Sequence, residues 1–155
     1  MTRLQKELKQ TRPFTSLEEE VILNLARTAE HVSSRLTGVL KGADLTLTQY
    51  NALRILRGAG AEGLACGEIG ERMVTKDSDI TRLLDRLEKM GLITRERLET
   101  DRRVVVTRIT DEGLSLLTEL DGPVQEANRG AAGHLGRQRL KTLNELLEEL
   151  RGIGV

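Results

Sequence analysis

Aromatic side chains are nearly absent from this chain: it has no tryptophan, and Phe14 and Tyr50 are its single phenylalanine and tyrosine. Its core must be built from leucine, isoleucine, valine and alanine, which suits helices packed on helices. The same lack weakens any function that stacks bases or cages a quaternary cation. Cysteine is almost missing too. Cys66 alone makes neither an intrachain disulfide nor a cysteine-cluster zinc site, which fits a reducing compartment. His31 and His134 are far apart in sequence, and no metal site is expected. Neither sign of charge is in excess, since 24 Lys and Arg balance 24 Asp and Glu. Bulk electrostatics therefore selects neither nucleic acid nor an anionic membrane. No apolar run approaches the roughly 18 residues of a membrane span. The opening MTRLQKELKQTRPF has no apolar leader core. The expectation is a soluble, cytoplasmic protein. G-x-S-x-G, H-E-x-x-H and CxxC are all absent. GAGAEG, from Gly58, lacks the GK[ST] ending of a phosphate-binding loop and reads as a linker. No enzyme activity and no cofactor are expected.

What is present is helical periodicity, punctuated by caps. Residues 1–15 are polar and contain Pro13, and read as a flexible arm. From Ser16, a cap followed by Glu18, Glu19 and Glu20, apolar residues recur at helical spacing to about Leu40, with Gly42 as a stop. DLTLTQYNALRIL predicts a short helix capped by Thr48 and ended by Gly58. LACGEIGERM predicts another short helix, VTK a turn, and DSDITRLLDRLEKMG a helix ended by Gly91. On a helical wheel Ile80, Leu83, Leu84 and Leu87 form one face of that helix. Ser78, Arg82, Asp85 and Lys89 point the other way, flanked by Thr81 and Arg86. LITRERL and VVVTRIT are rich in β-branched residues and predict a hairpin with ETDRR as its turn. Their alternation is not clean enough to assign faces. Thr110 caps the next helix, which Pro123 should kink and NRGAAGHLG should break, and RQRLKTLNELLEELR is the last. The leucine stripes of the first and last helices are core or dimer interface, and the letters do not separate the two.

Short helix, turn, helix and hairpin in that order describe a winged helix-turn-helix. The second helix has the apolar back and polar front that a major-groove reader needs. Ser78, Thr81 and Arg82, near its start, are the candidates for base edges. Lys76, Arg86 and Lys89 are the candidates for phosphates. Arg102 and Arg103, at the hairpin tip, serve no core and fit the narrow, electronegative minor groove beside it. Asp101 is read as shaping that turn by pairing with one of the two arginines. The objection is charge: residues 66–110 carry ten Lys and Arg against nine Asp and Glu, a net of +1. An i,i+4 pair of Asp85 with Lys89 would engage one of the acids.

The segment from Cys66 to Leu117 resembles the winged-helix core of the MarR family of bacterial transcription regulators. The carrying pieces are ITRLLDRLEKMGLI, the DRR wing and the ITDEG entry into the next helix. LTLTQYNALRIL resembles the family's second helix. The resemblance implies a homodimer whose N- and C-terminal helices interlock, two winged lobes on a pseudo-palindromic duplex operator, and half-sites one helical turn apart. It also implies release by a small, often aromatic anion bound between dimerisation helices and lobe. His31 and Tyr50 are the candidate effector contacts. The wing lacks the family's common proline before DRR, and no N-terminal cysteine offers peroxide sensing.

The fold expectation is mainly α. It comprises an arm over 1–15, an N-terminal dimerisation helix over 16–45, a winged lobe with a β-hairpin wing over 46–110, and C-terminal dimerisation helices over 111–155. The functional expectation is a DNA-binding repressor that occludes a promoter and is released by an effector. A ligand-independent regulator and a winged-helix protein-interaction module are the alternatives.

Overall fold

A capped, acidic first turn starts the longest helix where the sequence calls for it. In the computed structural model, which describes residues 1–76 and 79–153, α2 runs Leu17–Leu40 and the Ser16 hydroxyl accepts from the Glu19 N–H. It is preceded by α1, Arg3–Glu7, in the segment expected to be a flexible arm. Thr2 and Gln5 cap this turn reciprocally, Leu4 is buried, and Glu7 pairs with Arg27 of α2 at 2.9 Å. A five-residue helix carries too little periodicity to read, and a partner twenty positions away is invisible locally.

After a 3₁₀ turn at Lys41–Ala43, α3 spans Leu47–Ala59. Its cap is Thr46, not Thr48: the Thr46 hydroxyl accepts from Gln49 N–H, and Gln49 Oε1 accepts from Thr46 N–H at 2.9 Å. This is a T-x-x-Q capping box. The chain then makes β1, Leu64–Ala65, α4, Cys66–Arg72, and α5, Ile80–Lys89, capped by Asp79. Gly91, at φ +75°, turns it into β2, Ile93–Arg97, which returns through the hairpin as β3, Val105–Ile109. The sheet is antiparallel in the order β1-β3-β2. β1 is the element missing from the sequence reading, because two residues show no alternation and their partners, Thr107 and Val106, lie far along the chain. It also explains the unclear faces of β3. That strand is central, and both Val106 and Thr107 are buried although they point to opposite faces.

Thr110 caps α6, Asp111–Ala132, and donates its hydroxyl to the Gly91 carbonyl at 2.7 Å. The helix runs through Pro123 and on to Ala132, and the interruption comes at Gly133–Leu135, within the expected break NRGAAGHLG, before α7, Gly136–Leu150. Pro123 and Glu119 are both exposed, so the carbonyl that loses its donor can be solvated.

One apolar cluster joins the lobe to the long helices. Leu40 of α2, Leu53 and Leu56 of α3, Ile69 of α4, Leu84 and Leu87 of α5, Ile93 of β2 and Leu117 of α6 are all essentially inaccessible. Elsewhere the leucine stripes have no cover in the single chain. Leu17, Val21, Ile22 and Leu25 of α2 are exposed, as are Leu143, Leu146 and Leu150 of α7, and no described residue of α7 is buried.

Candidate nucleic-acid interface

The recognition-helix candidate α5 is seated as its wheel requires. Leu83, Leu84 and Leu87 are buried and Ile80 packs against the core, while Thr81, Arg82, Arg86 and Lys89 are exposed. Asp79 starts the helix by accepting from the Arg82 N–H at 3.1 Å. Ser78 lies outside the described residues. Lys76 is exposed in the turn before the helix and donates to the Glu71 carbonyl at 3.1 Å, where the last turn of α4 leaves an acceptor. Arg82 and Arg86 also line a crevice of about 220 Å³ with Thr46, Thr48 and Gln49, at the N-terminus of α3. The sequence reading missed these three. Their signal was the capping box, which marks a helix start and the free N–H groups that go with it.

At the wing, Asp101 shapes the turn, but through the backbone. Its Oδ1 accepts from the Arg103 N–H at 3.0 Å, an Asx turn. Val104 N–H closes on the Asp101 carbonyl at 3.0 Å, and Arg97 Nη1 donates to the Arg102 carbonyl at 2.9 Å. Asp101 therefore pairs with neither guanidinium, and Arg102 and Arg103 are both exposed.

Several acids of the near-neutral lobe are engaged by cations or backbone groups of the lobe itself. Asp85 pairs with Arg95 of β2 at 2.5 Å, not with Lys89 as the i,i+4 spacing suggested, and Glu88 meets the same guanidinium at 2.6 Å. Hydrogen bonding by Glu88 first, and then by Asp85, raises the already high pKa of Arg95 against the opposing effect of burial. Glu96 pairs with Arg108, Glu68 accepts from Ala65 N–H, Asp79 caps α5 and Asp101 caps the wing turn. Among the described residues no carboxylate pairs with Arg82, Arg86, Lys89, Arg102 or Arg103. The net of +1 thus includes five exposed cations on α5 and the wing tip, with Glu71 and Glu99 exposed as well; exposed cations of this kind suit phosphate contact.

The two effector candidates do not come together. His31 is exposed and lines a polar crevice with Glu7, Arg27 and Glu30. Tyr50 is largely buried and lines a different crevice of about 220 Å³ between α2, α3 and the turn after α4, beside Leu36, Arg54 and Val74. The Arg54 guanidinium lies 5.9 Å from the Tyr50 ring centroid. Cys66 is half-buried at the start of α4 and packs against the core.

Residues 45–105 match the sequence profile described as MarR family. The crystal structure of a MarR transcription factor from Planctomyces limnophilus is 39% identical, superposes with a TM-score of 0.69, and covers 88% of this chain and 98% of that one. The chain belongs to the MarR family. The HTH-type transcriptional regulator PecS of Dickeya dadantii is 30% identical over 111 residues, 70% of this chain and 67% of that protein. At the level of fold, a mutant MarR from E. coli complexed with operator DNA superposes with a TM-score of 0.77 at 23% identity, over 88% of this chain and 99% of that one. This MarR-family chain is a DNA-binding transcription regulator, mainly helical with a small three-stranded wing sheet. No helix among its described residues is long and apolar enough to cross a membrane.

Proposed function

We propose that this MarR-family protein is a homodimeric repressor of a pseudo-palindromic operator, working in the cytoplasm and released by a small amphipathic anion. The observation that carries the reading is the open cationic surface: among the described residues Arg82, Arg86 and Lys89 of α5 and Arg102 and Arg103 of the wing tip are exposed and in no ion pair, while Asp85, Glu88 and Glu96 pair with arginines of the wing strands. In this reading α5 enters the major groove. Thr81 and Arg82, with Ser78, meet base edges, and Lys76, Arg86 and Lys89 meet phosphates. Thr46 and Thr48 add a phosphate contact at the N-terminus of α3, in the crevice they share with Arg82, Arg86 and Asp79, whose carboxylate caps α5. Arg102 and Arg103 reach the flanking minor groove. The uncovered stripes of α2 and α7 support dimerisation through the terminal helices. The crevice at Tyr50 supports the effector reading, with apolar walls at Leu36, Leu47 and Val74 and a cation at Arg54. His31 lines a separate crevice and would not share a ligand with Tyr50.

The test is selection of duplexes from a randomised pool, then affinity of the winner against salt concentration, wild type beside Arg103→Ala. An enriched inverted repeat is expected, with an affinity that falls steeply as salt rises and a slope that drops by about one in the variant. No enrichment above non-specific binding at low salt would overturn the reading. With the operator in hand, a screen of small aromatic acids by thermal shift tests the effector, since a ligand that favours the native state raises Tm.

A further inference from the structure

Arg95 stands apart from the cations just described. It is the one that the recognition helix engages with two carboxylates, and it sits on the wing. Its Nη2 lies 2.5 Å from Asp85 Oδ1 and 2.6 Å from Glu88 Oε2, and its Nε donates to the same Glu88 oxygen at 3.1 Å. The side chain is 22% exposed. These bonds join the outward half of α5 to β2 one pleat beyond Ile93, where the strand leaves the core. Beyond Arg95 the hairpin is held by the β2–β3 ladder, by the exposed Glu96–Arg108 pair, by Arg108 on the Ala61 carbonyl and by Val106, and none of these reaches α5. β1 flanks β3 only at Thr107 and Val106. The tip from Leu98 to Val104 is held by its own turn bonds and by Arg97 on the Arg102 carbonyl. Leu98 lies three residue steps beyond Arg95, a lever of about 10 Å at roughly 3.4 Å per residue. A tilt of about 10° at Arg95 would therefore move the tip by nearly 2 Å, several times the tolerance of about 0.5 Å within which a binding group must be held.

We propose that Arg95 is a positioning residue for DNA recognition: by gripping Asp85 and Glu88 it sets the angle of the wing to the recognition helix, and so places Arg102 and Arg103 over the flanking minor groove while α5 occupies the major groove. The same contact has an electrostatic side. Asp85 and Glu88 lie on the α5 flank that turns towards the wing, and Arg95 offsets one of their two charges. Lysine cannot replace it, because one ammonium lacks the planar fork that serves two carboxylates at once.

This inference rests on the DNA-binding reading, so the experiment separates the two. Operator affinity is measured for wild type, Arg95→Met, Arg95→Lys and Arg95→Met/Asp85→Asn/Glu88→Gln, each with and without Arg103→Ala. Thermal unfolding first confirms that each variant folds. If wild type binds the operator, Arg95→Met should lose about ten-fold or more in affinity. The penalty of Arg103→Ala should then shrink to within about two-fold, because a misplaced arginine has little left to lose. The triple variant should recover only part of the affinity. An unchanged Arg103→Ala penalty in the Arg95→Met background would overturn the proposal, as would full recovery in the triple variant, which would reduce Arg95 to charge compensation. Amide exchange in the free protein tests the grip whether or not DNA binds. Exchange at Leu98 and Val104 should quicken in Arg95→Met while the Leu53 and Leu84 amides hold, and unchanged wing exchange would also overturn the proposal. If Arg95→Met fails to fold, Arg95→Lys carries the same two comparisons.

Discussion

Arg57 of α3 and Asp121 of α6 meet fork to fork, Nη1 to Oδ2 at 2.9 Å and Nη2 to Oδ1 at 3.0 Å, and so tie the winged lobe to the C-terminal helix. Both partners are at the surface, the Asp121 side chain half exposed, so the pair is worth about 0.5 kcal/mol after solvent screening. The hydrogen bonds from Arg57 hold the Asp121 carboxyl below its ordinary value, aided by the charges of Arg57 and Arg54. A carboxyl depressed in the folded state contributes stability that is complete above the unfolded pKa of about 4 and is lost as pH falls through the folded value. Asp121→Asn should therefore lower Tm by about 1–2 °C at neutral pH. The difference from wild type should narrow below about pH 4. Thermal melts at both pH values check this, and an equal difference at both would exclude the ion pair as its source.

The uncovered stripes of α2 and α7 make the dimer directly testable. Leu146 is 58% exposed in the single chain. If a second copy covers it, Leu146→Asp would place an unpaired carboxylate in an apolar seam on both protomers and weaken dimerisation by at least about 100-fold, from roughly 3 kcal/mol per buried charge. Sedimentation should show monomer while the helical circular dichroism stays. A dimer of unchanged affinity would place the interface elsewhere.

Asp101 gives a prediction in which sign decides. It is an acid at the tip that is proposed to approach DNA, so removing it relieves repulsion from phosphate. It also accepts the Arg103 N–H that fixes the turn. If shaping outweighs repulsion, Asp101→Ala lowers operator affinity by about three-fold, roughly the 0.5–1 kcal/mol of one exposed hydrogen bond. Its salt dependence should match wild type, unlike that of Arg103→Ala. A rise in affinity would show that the acid only opposes binding.

The β1–β3 junction depends on a glycine. Gly63 has φ +70°, and an added Cβ would stand 2.4 Å from the Thr107 carbonyl oxygen. Gly63→Ala should cost at least about 2 kcal/mol in chemical denaturation, from backbone strain and the clash together. Gly58, within α3 and with nothing within 4 Å of an added Cβ, is the control. Gly58→Ala should be neutral or stabilising by up to about 1 kcal/mol.

The features legible in the sequence are those written within a few residues. Ser16 and Thr110 begin helices, Gly91 ends α5, and the apolar back of α5 is buried as its spacing implied. The features that escaped are pairings between distant segments. Local spacing pairs Asp85 with Lys89, four residues away on its own helix, because that is the partner visible in the letters. Arg95, ten residues on in β2, offers a two-carboxylate grip that only the return of the strand along α5 brings within reach. The 1–15 segment looked unstructured for the same reason, since Glu7 meets Arg27 twenty positions away.

By itself, then, the sequence determined a helical protein with a reading helix, a hairpin carrying two adjacent arginines and apolar stripes on its terminal helices. Periodicity, caps and turn residues act over one or two turns of chain, and their physics needs no distant partner. Tertiary structure alone decided which charges are engaged and which remain open, which part of each leucine stripe lies in the core, and where the wing stands relative to α5. Those outcomes depend on distances of a few ångströms between segments tens of residues apart. At that range burial and ion pairing are set by the packing of the whole chain.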